Sequence, residues 1–110
     1  MLLSTDIWVT ALIRRAEIGG AFGVVARKGD PRAGAVLVKA LNRSNGTAKL
    51  YSEATRLDGE RVWMQPVPSE QEADRDRYIE RTARIDPDIW VVEIEDREGR
   101  HFLTEPVERG

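Results

Sequence analysis

Glu93 and Glu95 stand one residue apart, Asp96 follows directly, and the chain's one histidine, His101, lies five residues on. No other residues in the sequence are better suited to chemistry. Two carboxylates and an imidazole can hold a divalent transition metal. They can also exchange protons, the carboxylates raising the basicity of the imidazole. Either use requires one shared face. In a strand, successive side chains point to opposite faces. Trp90, Val92, Ile94 and Asp96 therefore share one face, and Ile89, Val91, Glu93 and Glu95 the other. A hairpin with Arg97, Glu98 and Gly99 as its loop sets Asp96 opposite Arg100, Glu95 opposite His101 and Ile94 opposite Phe102. All three pairs are complementary. A two-residue loop opposes Arg97 to Arg100 instead, so the first register is expected. It gathers Glu93, Glu95 and His101 as the candidate metal or acid–base face. The plainer reading of the trio is a surface ladder at a sheet edge, contributing less than about 1 kcal/mol, and that reading is preferred. No catalytic residue, metal site or cofactor is assigned.

Other chemistries find less support. The chain has no cysteine, which removes disulfides, thiolate nucleophiles and cysteine-rich zinc sites. Ser4, Ser44, Ser52 and Ser69 fall at caps, turns or strand ends, and none has the context of a nucleophile elbow. The segment IGGAFG, 18–23, lacks the glycine spacing of a dinucleotide loop, and its strand follows the glycines instead of preceding them. Pro87-Asp88 before Glu93-Ile94-Glu95 resembles the metal motif of restriction-endonuclease-like enzymes. Glu95 stands where those enzymes need a lysine, so the match fails at the attacking water. Arg14, Arg15, Arg27, Lys28, Arg32 and Lys39 form a weak candidate patch for an anion or nucleic acid, if the first helix meets the GDPRAG turn. No aromatic residues interleave them to stack bases.

These residues need elements to hold them. Trp8, Leu12 and Ala16 recur at helical spacing before Gly19-Gly20, with Thr5 as a candidate cap and Asp6 in the first turn. The piece IWVTALI also alternates, which keeps a strand as the competing reading. Helix is preferred because the apolar residues occupy both parities. AFGVVARK reads as a strand closed by GDPRAG, a turn built on Gly and Pro. AVLVKAL is apolar on both faces and belongs in the middle of a sheet. Asn45-Gly46 and Asp58-Gly59 turn the chain into TAKLYSE and then RVWMQ. These strands make an antiparallel meander of three, or of four if residues 21–28 join it. Ser69 and Glu72 have capping-box spacing ahead of a solvated helix over about 70–84, where Glu80 and Arg84 can pair. Asp86-Pro87 stops that helix. Trp8, Trp63 and Trp90 sit within apolar runs and are expected in the core.

Bulk properties bound the rest. One domain fits 110 residues. With 41% hydrophobic and 33% charged residues, the chain is too apolar for disorder yet allows only a modest core. MLLSTDIW carries neither a secretory signal nor a membrane span, so the expected setting is the cytoplasm, with no membrane partner. Residues 1–66 carry ten basic and six acidic side chains, and residues 67–110 carry seven and thirteen. Such a split suits two halves that neutralise each other within the fold or across a dimer.

Taken together, IWVTALIRRAE, RKGDPRAGAVLVKA, DGERVW and DPDIWVVEIEDREGRHFL resemble a family of small proteobacterial proteins, domain-of-unknown-function family fourteen-ninety-one, over about residues 5–104. The resemblance implies a single stand-alone bacterial domain. It carries no assigned reaction, ligand or partner, and no catalytic residues to transfer.

The expected fold is α+β: an antiparallel sheet of five or six strands, meander plus C-terminal hairpin, with two helices in a single domain over 1–110 and a loose tail from about 105. The expected function is a non-enzymatic binding or self-associating module, with a protein partner or a second copy as homodimer. The alternatives are a metal-dependent or acid–base enzyme on the Glu93/Glu95/His101 face, and nucleic-acid binding through the basic N-terminal half. Nucleic acid ranks behind protein as a partner.

Overall fold

Residues 5–18 form a helix because Trp8, Leu12 and Ala16, joined by Val9, make one continuous apolar stripe, and all four are buried. The structure, a computed structural model, describes residues 3–68 and 71–108. This first helix, α1 (Thr5–Ile18), is not capped by Thr5. Thr5 is buried, and its hydroxyl donates to the Gly34 carbonyl at 2.9 Å. Ser4 occupies the cap position. The free N–H groups of the first turn go to the GDPRAG turn instead: Thr5 donates to the Arg32 carbonyl at 3.2 Å and Asp6 to that of Pro31 at 2.9 Å. A turn twenty-five residues away thus supplies the helix cap.

The strands are β1 (Phe22–Arg27), β2 (Val36–Asn42), β3 (Ala48–Thr55) and β4 (Arg61–Met64). Helix α2 (Glu72–Ile85) follows, then β5 (Trp90–Asp96) and β6 (Val107–Glu108). The meander β2-β3-β4 forms as expected, all antiparallel, with Gly46 at φ 74° in its first turn. The six strands, in the order β1-β5-β2-β3-β4-β6, make a mixed sheet, not an antiparallel one. β5 inserts between β1 and β2, antiparallel to the first and parallel to the second. β6 runs parallel to β4.

Three expectations are corrected here, and the first two share a cause. The run IWVV is apolar on both faces, so β5 needs strand neighbours on both sides and layers on both faces. A C-terminal hairpin would have to take the place that β1 or β2 holds beside it. The chain therefore turns away after Gly99, and residues 100–104 form no strand. For the same reason β1 pairs with β5 and does not extend the meander. The third correction concerns residues 105–108, which are fastened, not loose. The Glu105 carboxylate accepts the indole N–H of Trp63 at 3.1 Å and of Trp8 at 3.4 Å. Arg56 holds Glu108 at 2.9 Å.

The sheet divides two apolar clusters. On one face α1 covers Val36, Val38, Ala40, Tyr51, Trp63, Trp90, Val92 and Ile94. All three tryptophans are buried in this cluster, Trp8 stacked on Trp63 at 5.4 Å. On the other face α2 covers Leu37, Leu50, Ile89 and Val91 with Tyr78, Ile79 and Ala83. The buried Arg75 fastens α2 to the sheet through the carbonyls of Ala48 and Val67. Gln71 holds the N-cap position of α2. The expected capping residue Ser69 lies outside the described residues. No helix among the described residues is long and apolar enough to cross a membrane.

Candidate functional site

Because the hairpin does not form, Glu93, Glu95 and His101 do not share a face. Glu93 lies on the α2 side, 3.9 Å from the Lys39 ammonium, and Glu95 follows it by strand parity. His101 lies on the α1 side, edge-on to Tyr51 with ring centres 4.9 Å apart. The sheet separates the imidazole from both carboxylates. Among the described residues no group of three His, Asp or Glu side chains is arranged to hold a metal ion. His101 is instead a structural group. Its Nδ1 accepts the Leu103 N–H at 2.9 Å, which leaves the proton on Nε2. Burial first, and the nearby Lys49 ammonium second, hold its basicity below the ordinary value. That is opposite to what neighbouring carboxylates would do.

The third carboxylate does find Arg100, by another route. Asp96 is fully buried on the α1 side. It accepts N–H groups from Glu98 and Arg100 at 3.0 Å each, and the Arg100 guanidinium at 3.0 and 2.8 Å. The contact closes a tight loop within five residues. These bonds, the guanidinium first, hold the Asp96 carboxyl well below the usual carboxylate range. Beyond the loop, Phe102 adopts φ 62°, a left-handed conformation that is strained for a bulky residue. Arg15 secures it by donating Nε and Nη2 to its carbonyl at 3.1 and 2.9 Å.

The six basic candidates are dispersed. Helix and turn do meet, but at the N-terminal end of α1, about 12 Å along the axis from Arg14. Arg15 is committed to Phe102. Arg27 reaches the Pro87 carbonyl at 3.2 Å. Lys28 and Arg32 are exposed near the turn. Lys39 lies on the opposite face of the sheet, buried, with its ammonium 2.8 Å from Glu72 and 2.8 Å from Asp76 of α2. Burial opposes its charge, yet the hydrogen bonds it donates to Asp76 and Glu72 outweigh that and raise its pKa overall. This lysine ties α2 to the sheet, and its charge is met within the fold by Glu72 and Asp76.

One surface the structure leaves available for contact is the β1 side of the sheet. β1 is an edge strand with β5 along one side only. Phe22 is 57% exposed, Val24 42% and Val25 37%. Phe22 and Val24 stand beside Glu95 and Glu93 on the α2 face, at the corner α2 leaves uncovered. Arg27 and Lys28 lie exposed at the other end of the strand. The sequence signalled a strand here but not its position at the edge.

A family model described as "Protein of unknown function (DUF1491)" matches residues 3–104. Among curated proteins none matches. Solved structures do. A crystal structure of a DUF1491 family protein from Caulobacter crescentus is 79% identical, with TM-score 0.95, over 97% of this chain and 100% of that one. An NMR structure of a DUF1491 family protein from the same species is 80% identical, with TM-score 0.92, covering 98% of each chain. The solution structure of protein Atu0922 from A. tumefaciens is 34% identical, with TM-score 0.81, over 96% of this chain and 95% of that one. With most of its length matched by the family model and by relatives of the same fold, the chain belongs to the DUF1491 family.

Proposed function

We propose that this protein is a non-enzymatic binding module that self-associates, two copies joining along β1. The observation that carries the reading is an edge strand exposing Phe22 and Val24 side by side on the α2 face, with Val25 exposed on the other face. Edge strands of monomers are usually short, charged or covered, because an open apolar edge invites pairing. A second copy suits it better than an unrelated chain. A two-fold axis through the edge sets the two β1 strands antiparallel, each presenting the same apolar strip to the other. It also brings the Phe22 end, flanked by Glu95, toward the Arg27 and Lys28 end of the other copy. Opposite charges then meet at both ends of the contact. We take the setting to be the cytoplasm.

Light scattering on the eluting full chain tests the proposal. The wild-type protein is expected to run as a dimer, and Phe22→Glu with Val24→Lys as a folded monomer. Both side chains are exposed, so the fold should tolerate the change. A wild-type monomer at about 100 µM, where even a micromolar interface is populated, overturns it.

A further inference from the structure

The exposed side of α2 has an organisation that the fold does not use. Arg77, Arg81 and Arg84 follow one another at i, i+4 and i+7, so their guanidiniums form one stripe. All three are exposed. Arg77 is paired with Asp74. Arg81 and Arg84 have no ion-pair partner among the described residues, and the expected pairing of Glu80 with Arg84 does not form. Like charges at this spacing cost a helix a few tenths of a kcal/mol per pair, about 0.2–0.5. No ion pair among the described residues offsets that for the last two. The stripe walls an open groove of about 540 Å³. Pro66, Val67 and Pro68, the segment leading toward α2, form the opposite wall, and Tyr78 lies between. Val67 and Tyr78 also pack on the smaller apolar cluster, which fixes the groove's floor to the sheet.

We infer that this groove docks an extended segment of a partner protein in which carboxylate side chains alternate with aliphatic ones. Side chains on one side of an extended peptide repeat every ~6.6 Å. Arg81 and Arg84, three residues apart on the helix, are offset by ~4.5 Å along its axis, a difference that two long side chains take up. Alternate carboxylates can therefore meet successive guanidiniums, in the forked geometry that arginine offers a carboxylate. The intervening aliphatic side chains point to the other wall, where Val67 and the two prolines give them an apolar surface. Charge argues for a peptide over a nucleic acid. Asp74 and Glu80 also line the groove. With Arg77 already paired to Asp74, the two unpaired guanidiniums leave little for a strand that carries a charge on every unit, but enough for two placed carboxylates. This surface is separate from β1, so the inference stands apart from the self-association.

Fluorescence anisotropy with the full chain decides it. The probes are a labelled peptide of alternating glutamate and leucine, the same peptide with glutamine for glutamate, and a labelled twelve-nucleotide oligo-dT, in about 50 mM salt to limit screening. The glutamate peptide is expected to bind with Kd on the order of 10 µM and the glutamine peptide at least tenfold more weakly. Arg81→Gln with Arg84→Gln should weaken binding by about tenfold at an unchanged melting temperature. Arg81→Lys with Arg84→Lys should restore only part of it. Phe22→Glu with Val24→Lys should leave it unaltered. No binding of the glutamate peptide, equal binding of the glutamine peptide, wild-type affinity in the glutamine variant, or tighter binding of the oligonucleotide overturns the inference.

Discussion

The Lys39 cluster yields a prediction with an asymmetry that can be worked from its geometry. The ammonium is the buried member, its side chain 4% exposed. Its two close partners are half open to water, Glu72 at 49% and Asp76 at 52%. Replacing both with Glu72→Gln and Asp76→Asn leaves a desolvated cation facing Glu93 at 3.9 Å. Stranding one member of a buried pair costs about 3–5 kcal/mol. The lower end, about 3 kcal/mol, applies because Glu93 remains. Lys39→Met instead removes the buried charge and keeps a long apolar stem, while the carboxylates rehydrate, so the expected loss is about 1 kcal/mol or less. At about 4 °C per kcal/mol for a chain of this size, the double variant should melt about 12 °C below wild type and Lys39→Met about 4 °C below. Urea and thermal denaturation followed by circular dichroism give both numbers. The pH dependence supplies a check of sign. A lysine whose folded pKa is raised contributes stability that is fully present below its ordinary pKa of about 10.4 and is lost as pH climbs through the folded value. Wild type should therefore lose stability above about pH 10 more steeply than Lys39→Met. If Lys39→Met is as damaging as the double variant, the ammonium is a source of stability in its own right and the reasoning fails.

Two further expectations concern the turn and the histidine. In Gly29→Ala the new Cβ would lie 2.1 Å from the Asp88 carbonyl oxygen and 2.6 Å from the Ile89 carbonyl carbon. Both are backbone, so the GDPRAG turn must lift off β5 and break the 2.7 Å bond from the Trp90 indole to the Asp30 carbonyl. A loss of about 3 kcal/mol or more is expected, against about 1 kcal/mol for Gly46→Ala, which meets no atom and strains only its turn. Equal losses in denaturant would contradict the account. His101 is held below its ordinary basicity, by burial before Lys49. Its contribution is therefore fully present above about pH 6.5 and is lost as pH falls toward the folded value. His101→Gln should flatten the fall in melting temperature between about pH 7 and 5, and an unchanged slope would remove the assignment.

The parts legible in the sequence are those set by local pattern. The stripe from Trp8 to Ala16 gave α1, Asn45-Gly46 and Asp58-Gly59 gave the meander, and the double-sided apolarity of AVLVKAL placed β2 centrally. What local pattern could not give was β5. DPDIWVVEIED carries the same two-faced apolarity as β2, and that alone argued for a central strand. The nearby Glu98-Gly99 turn and the complementary pairs of a hairpin argued for an edge. Burial won, because a place between β1 and β2 sets one face of IWVV under α1 and the other under α2. The candidate site fell with the register: His101 followed the loop across the sheet, while Asp96 and Arg100 still met as neighbours in sequence. Lys39 shows a second limit. As an isolated basic residue it joined a surface patch on paper, whereas its place between Val38 and Ala40 in a core strand destined it for an internal ion cluster. The Arg77, Arg81 and Arg84 spacing was visible all along, but without the opposing Pro66 to Pro68 wall it described only a solvated helix.

Self-association along β1 is the central claim, and sedimentation equilibrium on the full chain tests it most directly. Across about 5 to 200 µM, the wild-type mass should climb toward twice the 12.4 kDa of one chain. The Phe22→Glu, Val24→Lys variant should stay at the single-chain mass with an unchanged circular dichroism spectrum. A wild-type protein that remains at 12.4 kDa throughout, or a variant that dimerises as well as wild type, would contradict the account.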